Sequence, residues 1–228
     1  MINRSYFSLI IIAFLFAGQN AEGQRKTKLK TRADSISYAL GVSLGQGISD
    51  NGFSNIQSKV LLKGIEDIYS DEAILTPQEA NQLVSGYMSE LKEEEAERNL
   101  LEGQEFLEKN KENPEVTTLP SGLQYKIIEE GEGTPPNEND EVTVHYTGTL
   151  LDGTVFDSSV ERGEPVSFPV NKVIEGWTEA LQLMKPGSKW MLYIPSALAY
   201  GEEVRPGGPI KANMALIFEV ELISVNRN

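Results

Sequence analysis

Few residues in this chain are of the types that perform covalent chemistry, and their spacing suits it poorly. His145 is the single histidine, and there is no cysteine. Alternation along Val142-Thr143-Val144-His145-Tyr146-Thr147 puts His145 on the face opposite Tyr146. A lone histidine without a cysteine or paired carboxylate nearby is a poor metal ligand or general base. Ser158 and Ser159 follow Asp157 but lack a histidine partner on their own face, so a hydrolytic triad is not supported. Gly207-Gly208, near Arg205, lack the strand–glycine–helix setting of a phosphate loop. What gathers instead is aromatic. In Val173-Ile174-Glu175-Gly176-Trp177 the bulkiest apolar side chain follows a glycine, which suggests a close backbone approach or an unusual dihedral. Tyr146, Phe156, Asp157, Tyr200 and Phe218 fall in strand-like or turn-like settings around it. A lone tryptophan is more often core filler than platform, but an aromatic cup with one carboxylate and one phenol suits a small apolar ring such as that of proline.

The elements that must position these residues begin after Pro120-Ser121-Gly122, where the hydrophobic period becomes two. Residues 123–128 read as a strand, 130–140 as a polar loop, and 142–147 as the clearest strand of the chain. Leu151-Asp152-Gly153-Thr154 makes a turn back through Val155 and Phe156. Strands at 166–170, 189–194 and 214–225 follow, with a short helical pattern at 178–184 between the first two. Several strands and one central helix predict an α+β fold, an antiparallel sheet wrapped on a helix.

The preceding half is helical. Ile36, Ala39, Leu40, Ser43, Leu44 and Ile48 recur at three- and four-residue steps, with Asp34 or Ser35 as the expected N-cap. Gly41, Gly45 and Gly47 are costly there, up to about 1 kcal/mol each against alanine. They imply either tight helix–helix contact or a helix that frays near Gly47. A second short helix carries Val60, Leu61, Leu62, Ile65, Ile68 and Tyr69. Thr76-Pro77-Gln78-Glu79 is a capping box with proline at the first helical position. Nothing decisive stops the third helix before Asn113-Pro114, so it runs over roughly 35 residues, on the order of 50 Å; Gly103 is its one weak point. Its first half bears an apolar stripe from Ala80 to Leu91. The charged run Lys92 to Arg98 should be bare to water, making an exposed rod. Helices this short need partners for their stripes, either a second copy in a four-helix-like pairing or an open groove.

The 228 residues, 39% of them hydrophobic, suffice for one or two cored domains. A net charge of −14 argues against a nucleic-acid partner, which would need basic patches. Arg4, the apolar run Tyr6 to Ala17 and Ala21-Glu22-Gly23 read as a signal peptide over residues 1–23; the run is short for a membrane span of about 20 residues, though an uncleaved anchor is the alternative. The expected mature chain starts near Gln24, exported, soluble and periplasmic, with a basic tether to Arg32. Lacking cysteine, it carries no lipid-modified cysteine and needs no disulfide.

Taken in order, Val144-His145-Tyr146-Thr147-Gly148, Asp152-Gly153, Phe156-Asp157-Ser158-Ser159, Val173-Ile174-Glu175-Gly176-Trp177, Ala199-Tyr200-Gly201 and Leu216-Ile217-Phe218-Glu219-Val220 resemble the FKBP family of peptidyl-prolyl cis-trans isomerases. Ile36-Ser37-Tyr38-Ala39-Leu40-Gly41, the long helix and Leu119-Pro120-Ser121-Gly122-Leu123-Gln124-Tyr125 resemble the Mip and FkpA group within it. The resemblance implies a helical dimerisation or chaperone domain over 24–114, its linker helix at about 77–112, and an isomerase domain over 115–228. It implies a pocket with Asp157, Tyr200 and Trp177 as catalytic residues and Tyr146, Phe156, Val173, Ile174, Ile210 and Phe218 as substrate-binding ones. Trp177 would floor the pocket, while the Ile174 N–H and the Tyr200 hydroxyl would bind peptide carbonyls. Val166 stands where many relatives have an aromatic residue, and Lys211-Ala212-Asn213-Met214 replaces a glycine/proline-type segment beside Ile210. The implied partners are proline-containing unfolded or partly folded polypeptides, a second copy of the chain, and rapamycin-like macrolide inhibitors. Amide rotation breaks no bond, so no nucleophile, metal or cofactor is expected. The competing expectation is a holdase whose helices bind unfolded clients, with the pocket used only for recognition.

Overall fold

The computed structural model describes residues 27–205 and 207–227. The expected signal peptide and mature start lie outside the described residues. Two compact units meet at Ile56/Gln57 in sequence. The described part of the first holds helix α1 (Arg32–Asp50). Its N-cap is Thr31, not Asp34 or Ser35: the Thr31 hydroxyl accepts from Asp34 N–H, and the Asp34 carboxylate accepts from Lys30 and Thr31 N–H. A carboxylate three residues into the helix completes a capping box, so the start moves upstream of the first apolar residue. The helix runs through Gly47 without fraying, and no residue of it is buried.

In the second unit, α2 (Ser58–Ser70) and α3 (Pro77–Asn110) precede the sheet. The predicted capping box at Thr76 and Glu79 is formed, with Pro77 at the first turn. Lys92–Arg98 is exposed apart from half-buried Glu95 and Ala96, and the exposed run stops at buried Asn99. From there α3 lies against the sheet. Asn99 donates to the Ala212 carbonyl at 2.9 Å, and the Phe106 ring packs 5.9 Å from Tyr193. Gln124 donates to the Leu107 carbonyl and accepts from Asn110, both at 2.8 Å. Gly103 is no weak point. An added Cβ there would stand 3.1 Å from that of Ala215, so its missing side chain lets helix and domain close.

The strands are β1 (Thr117–Thr118), β2 (Gln124–Glu129), β3 (Glu141–Thr149), β4 (Val155–Ser158), β5 (Val166–Pro169), β6 (Lys189–Ile194) and β7 (Leu216–Asn226). All pairings are antiparallel, in the order β1-β2-β6-β7-β3-β4, with β5 also on β3. Strict alternation buries Val142, Val144 and Tyr146 on β3, and Leu216, Phe218, Val220 and Leu222 on β7, against one side. On that side sits α5 (Glu175–Leu181), with Trp177, Ala180 and Leu181 buried among them. Each fully buried leucine contributes on the order of 1.5–3 kcal/mol. The expected α+β arrangement, an antiparallel sheet wrapped on a helix, is the observed one.

Candidate active site

Gly176 lets α5 reach the sheet. A Cβ there would lie 2.6 Å from Ile194 Cγ2, so the glycine serves a close approach rather than an unusual dihedral. Trp177, next along the helix, is thereby set among rings. Tyr146 and Phe218 stand edge-on to the indole at 5.2 and 5.3 Å, and Phe156 packs edge-on to Phe218 at 5.4 Å. Edge-to-face contacts of this kind are worth about 0.5–1.5 kcal/mol beyond area burial. The indole is only 4% exposed, so its neighbours leave no more than a small patch of it uncovered. The rim is more open. Phe156, Val173, Ile174 and Ile210 are half-buried and pack on the same cluster, and Tyr200 is 46% exposed.

Asp157, on β4, brings the polar group in. The Tyr146 hydroxyl donates to its Oδ2 at 2.5 Å. Arg162 pairs with Oδ1 and also donates to the Tyr146 hydroxyl at 3.1 Å, its guanidinium 5.7 Å over the Tyr146 ring. Burial pulls the Asp157 carboxyl upward, but hydrogen bonds from Tyr146 and Arg162 and the guanidinium charge outweigh it, leaving it below the ordinary carboxylate range. Burial, followed by the bond to Asp157, raises the Tyr146 phenol, which therefore stays a neutral donor. Around Ile174, the carbonyl accepts from Trp177 and Thr178 N–H at the start of α5. Among the described residues neither the Ile174 N–H nor the Tyr200 hydroxyl has a hydrogen-bond partner, so both are free to donate.

Two further neighbours, Arg162 and Phe168, join the site. Arg162 ends the one-turn helix α4 (Ser159–Arg162), whose bracket is legible: Ser158 caps it, and Gly163 closes it at φ 80°. One turn is what brings Arg162 back to Asp157. Phe168 packs 6.1 Å from the indole and 6.3 Å from Tyr146; it follows Val166 by two residues on β5, so the ring supplied by this strand sits one alternation on. The serines differ from the sequence expectation. The Ser159 hydroxyl does have a histidine partner, His145 Nδ1 at 3.1 Å, reached past the edge of β3. It also accepts from the Tyr146 N–H at 2.8 Å and is wholly buried. That makes it a brace for β3, with no access for a substrate.

The rings, the half-exposed Asp157–Arg162 ion pair and the free donors at the rim suit binding without bond-making. The family model described as FKBP-type peptidyl-prolyl cis-trans isomerase matches residues 132–223. A second, the domain amino terminal to it, matches residues 33–127. The chain belongs to the FKBP-type peptidyl-prolyl cis-trans isomerases. Within that family, it is 46% identical to the outer membrane protein MIP of Legionella longbeachae over 88% of this chain and 89% of that one. It is 37% identical to FkpA of Escherichia coli over 88% of this chain and 78% of that one. The crystal structure of the latter superposes with a TM-score of 0.71, at 36% identity, covering 88% of this chain and 99% of the other. The residues matched by the isomerase model include strands β3 to β6 and α5, and those matched by the amino-terminal model include α2, α3 and nearly all of α1.

Proposed function

We propose that this isomerase binds the proline of an X-Pro segment against Trp177, between Tyr146, Phe156 and Phe218, with Val173, Ile174 and Ile210 as the apolar rim. The barrier to rotation is about 18–20 kcal/mol because the C–N bond has partial double-bond character, and uncatalysed exchange takes tens to hundreds of seconds. Removing the amide from water disfavours its planar, charge-separated form, so a cup that prefers the twisted imide lowers the barrier by differential binding. The Ile174 N–H and the Tyr200 hydroxyl hold flanking carbonyls. Asp157, kept ionised by Tyr146 and Arg162, faces the rotating group. The observation that carries this reading is the convergence of three edge-on rings on one indole beside an ionised carboxylate.

The substrates in this reading are unfolded or partly folded exported polypeptides, and a rapamycin-like macrolide competes for the same rim. The division is a helical module over 24–114 and an isomerase domain over 115–228, in a mature periplasmic chain. No helix of the described residues is long and apolar enough to cross a membrane. The name of the L. longbeachae relative places that protein in the outer membrane, in keeping with an envelope address. Ile36, Leu40, Val60, Leu62 and Ile68 are each more than half exposed, and Gly41, Gly45 and Gly47 have open space where a Cβ would go. A second copy of the chain covers such faces in this reading.

Protease-coupled isomerisation of an X-Pro peptide, with and without rapamycin, tests the pocket. Asp157→Ala should lower kcat/KM by about tenfold or more, the scale of a charged hydrogen bond. Trp177→Leu should do likewise, with thermal unfolding followed to separate packing from catalysis. Wild-type rates in both folded variants, with no effect of the macrolide, would remove the assignment.

A further inference from the structure

Asn99 is an unexpected residue to find buried on a long charged helix. Asparagine is a middling helix former, yet here it is only 7% exposed and spends its amide on the Ala212 carbonyl at 2.9 Å. Ala212 belongs to a tight turn in which Asn213 takes a left-handed φ of 60°. The Asn213 N–H in turn donates to the Gly201 carbonyl at 2.7 Å, directly after Tyr200. Ile210 lies two residues before Ala212. One turn along α3, bare Gly103 admits Ala215. The helix therefore fastens both ends of the segment 212–215, and that segment ties down the loop ends bearing Tyr200 and Ile210. Packing behind the turn is incomplete. A hollow of about 110 Å³ lies between Asn99, Leu150, Asp152 and Met214. The hollow borders Met214 and Ala215, so few atoms back that end of the segment and the hydrogen bond from α3 adds to its placement.

We propose that Asn99, a residue of the linker helix outside the isomerase domain, is a positioning residue for substrate binding. It acts through the Ala212–Asn213–Gly201 chain on the wall formed by Tyr200 and Ile210, and it rests on the assignment of those two residues to the pocket. The functional isomerase unit accordingly begins on α3, at about Asn99, rather than at Glu115. A displaced wall weakens ground state and transition state alike, so the consequence falls on KM.

The test uses the full-length chain with Asn99→Asp, Asn99→Ala and Asn99→Gln, and with Ile210→Ala as the pocket reference. Aspartate keeps the size but loses the donor. Glutamine keeps the donor, and the neighbouring hollow has room for its extra methylene. Asn99→Asp and Asn99→Ala should raise KM for an X-Pro peptide about fivefold with kcat within about twofold. Asn99→Gln should return KM towards the wild-type value. The Gly201 and Asn213 amide resonances should move in Asn99→Asp and stay in Asn99→Gln. Wild-type KM in Asn99→Asp, alongside impaired binding in Ile210→Ala, overturns the fastening role while sparing the pocket. Equal loss of kcat, KM and thermal stability in all three Asn99 variants also overturns it, since that marks a merely structural residue. Silence of Ile210→Ala itself brings down the pocket assignment, and this proposal with it.

Discussion

The Tyr146 hydroxyl lies 2.5 Å from Asp157 Oδ2, donating to a carboxylate whose other oxygen is held by Arg162. Asp157 is therefore held ionised and fixed in direction. Its folded pKa is depressed, so the stability it contributes is present above its unfolded value, near 3.9, and is lost as pH falls through the folded value. Isomerisation should be flat from about pH 5 to pH 8 as far as this group is concerned. Arg162→Gln removes the guanidinium and should shift the acid limb of the pH–kcat/KM profile upward. An acid limb that does not move in Arg162→Gln would show that the arginine does not hold Asp157.

Ser159 should behave as a brace. Its hydroxyl is the partner of the Tyr146 N–H and of His145 Nδ1 in a wholly buried place. Ser159→Ala strands that N–H and should cost about 1–3 kcal/mol in urea unfolding. A loss of stability below about 0.5 kcal/mol would mean that water or backbone relaxation replaces the bond.

Gly148 and Gly176 should each refuse a methyl group, with different symptoms. A Cβ at Gly148 would fall 2.5 Å from Phe156 Cζ and 2.8 Å from Phe218 Cε1, inside the ring wall. Gly148→Ala should displace those rings and lower kcat/KM by about tenfold, while leaving the fold in place. At Gly176 the obstacle is Ile194 in the core. Gly176→Ala should push α5 off the sheet and destabilise by about 1–3 kcal/mol, which Ile194→Val should partly recover. Independent, additive effects of the last pair would refute the contact as the cause.

The apolar faces of α1 and α2 predict an oligomer that one charge on each face breaks. Leu40 is 67% exposed and Val60 64%. Leu40→Glu combined with Val60→Glu should shift sedimentation from dimer to monomer and leave X-Pro peptide turnover within about twofold, since the pocket is built within the other half of the chain. A monomeric wild-type chain at micromolar concentration would refute the pairing.

Much of this protein was legible in one dimension because its determinants are local. Period-two alternation is a property of adjacent residues; it located β3 with the face it buries, and the spans of β6 and β7. The Thr76-Pro77-Gln78-Glu79 box announced α3 because a cap is settled within four residues. The order of aromatic motifs was enough for the family, and the rings those motifs carry do meet around Trp177. What only tertiary structure decided depends on chain segments meeting from afar. Arg162 reaches Asp157 only because Ser158 and Gly163 bracket a single turn. Ser159 meets His145 across a backbone edge that alternation cannot represent. Gly103 reads as a flaw until Ala215, more than a hundred residues on, is set against it, and nothing along the chain marks Asn99 as the donor to the Ala212 carbonyl. Spacing along the chain encodes which face a side chain shares. It does not encode which distant backbone will come to rest there.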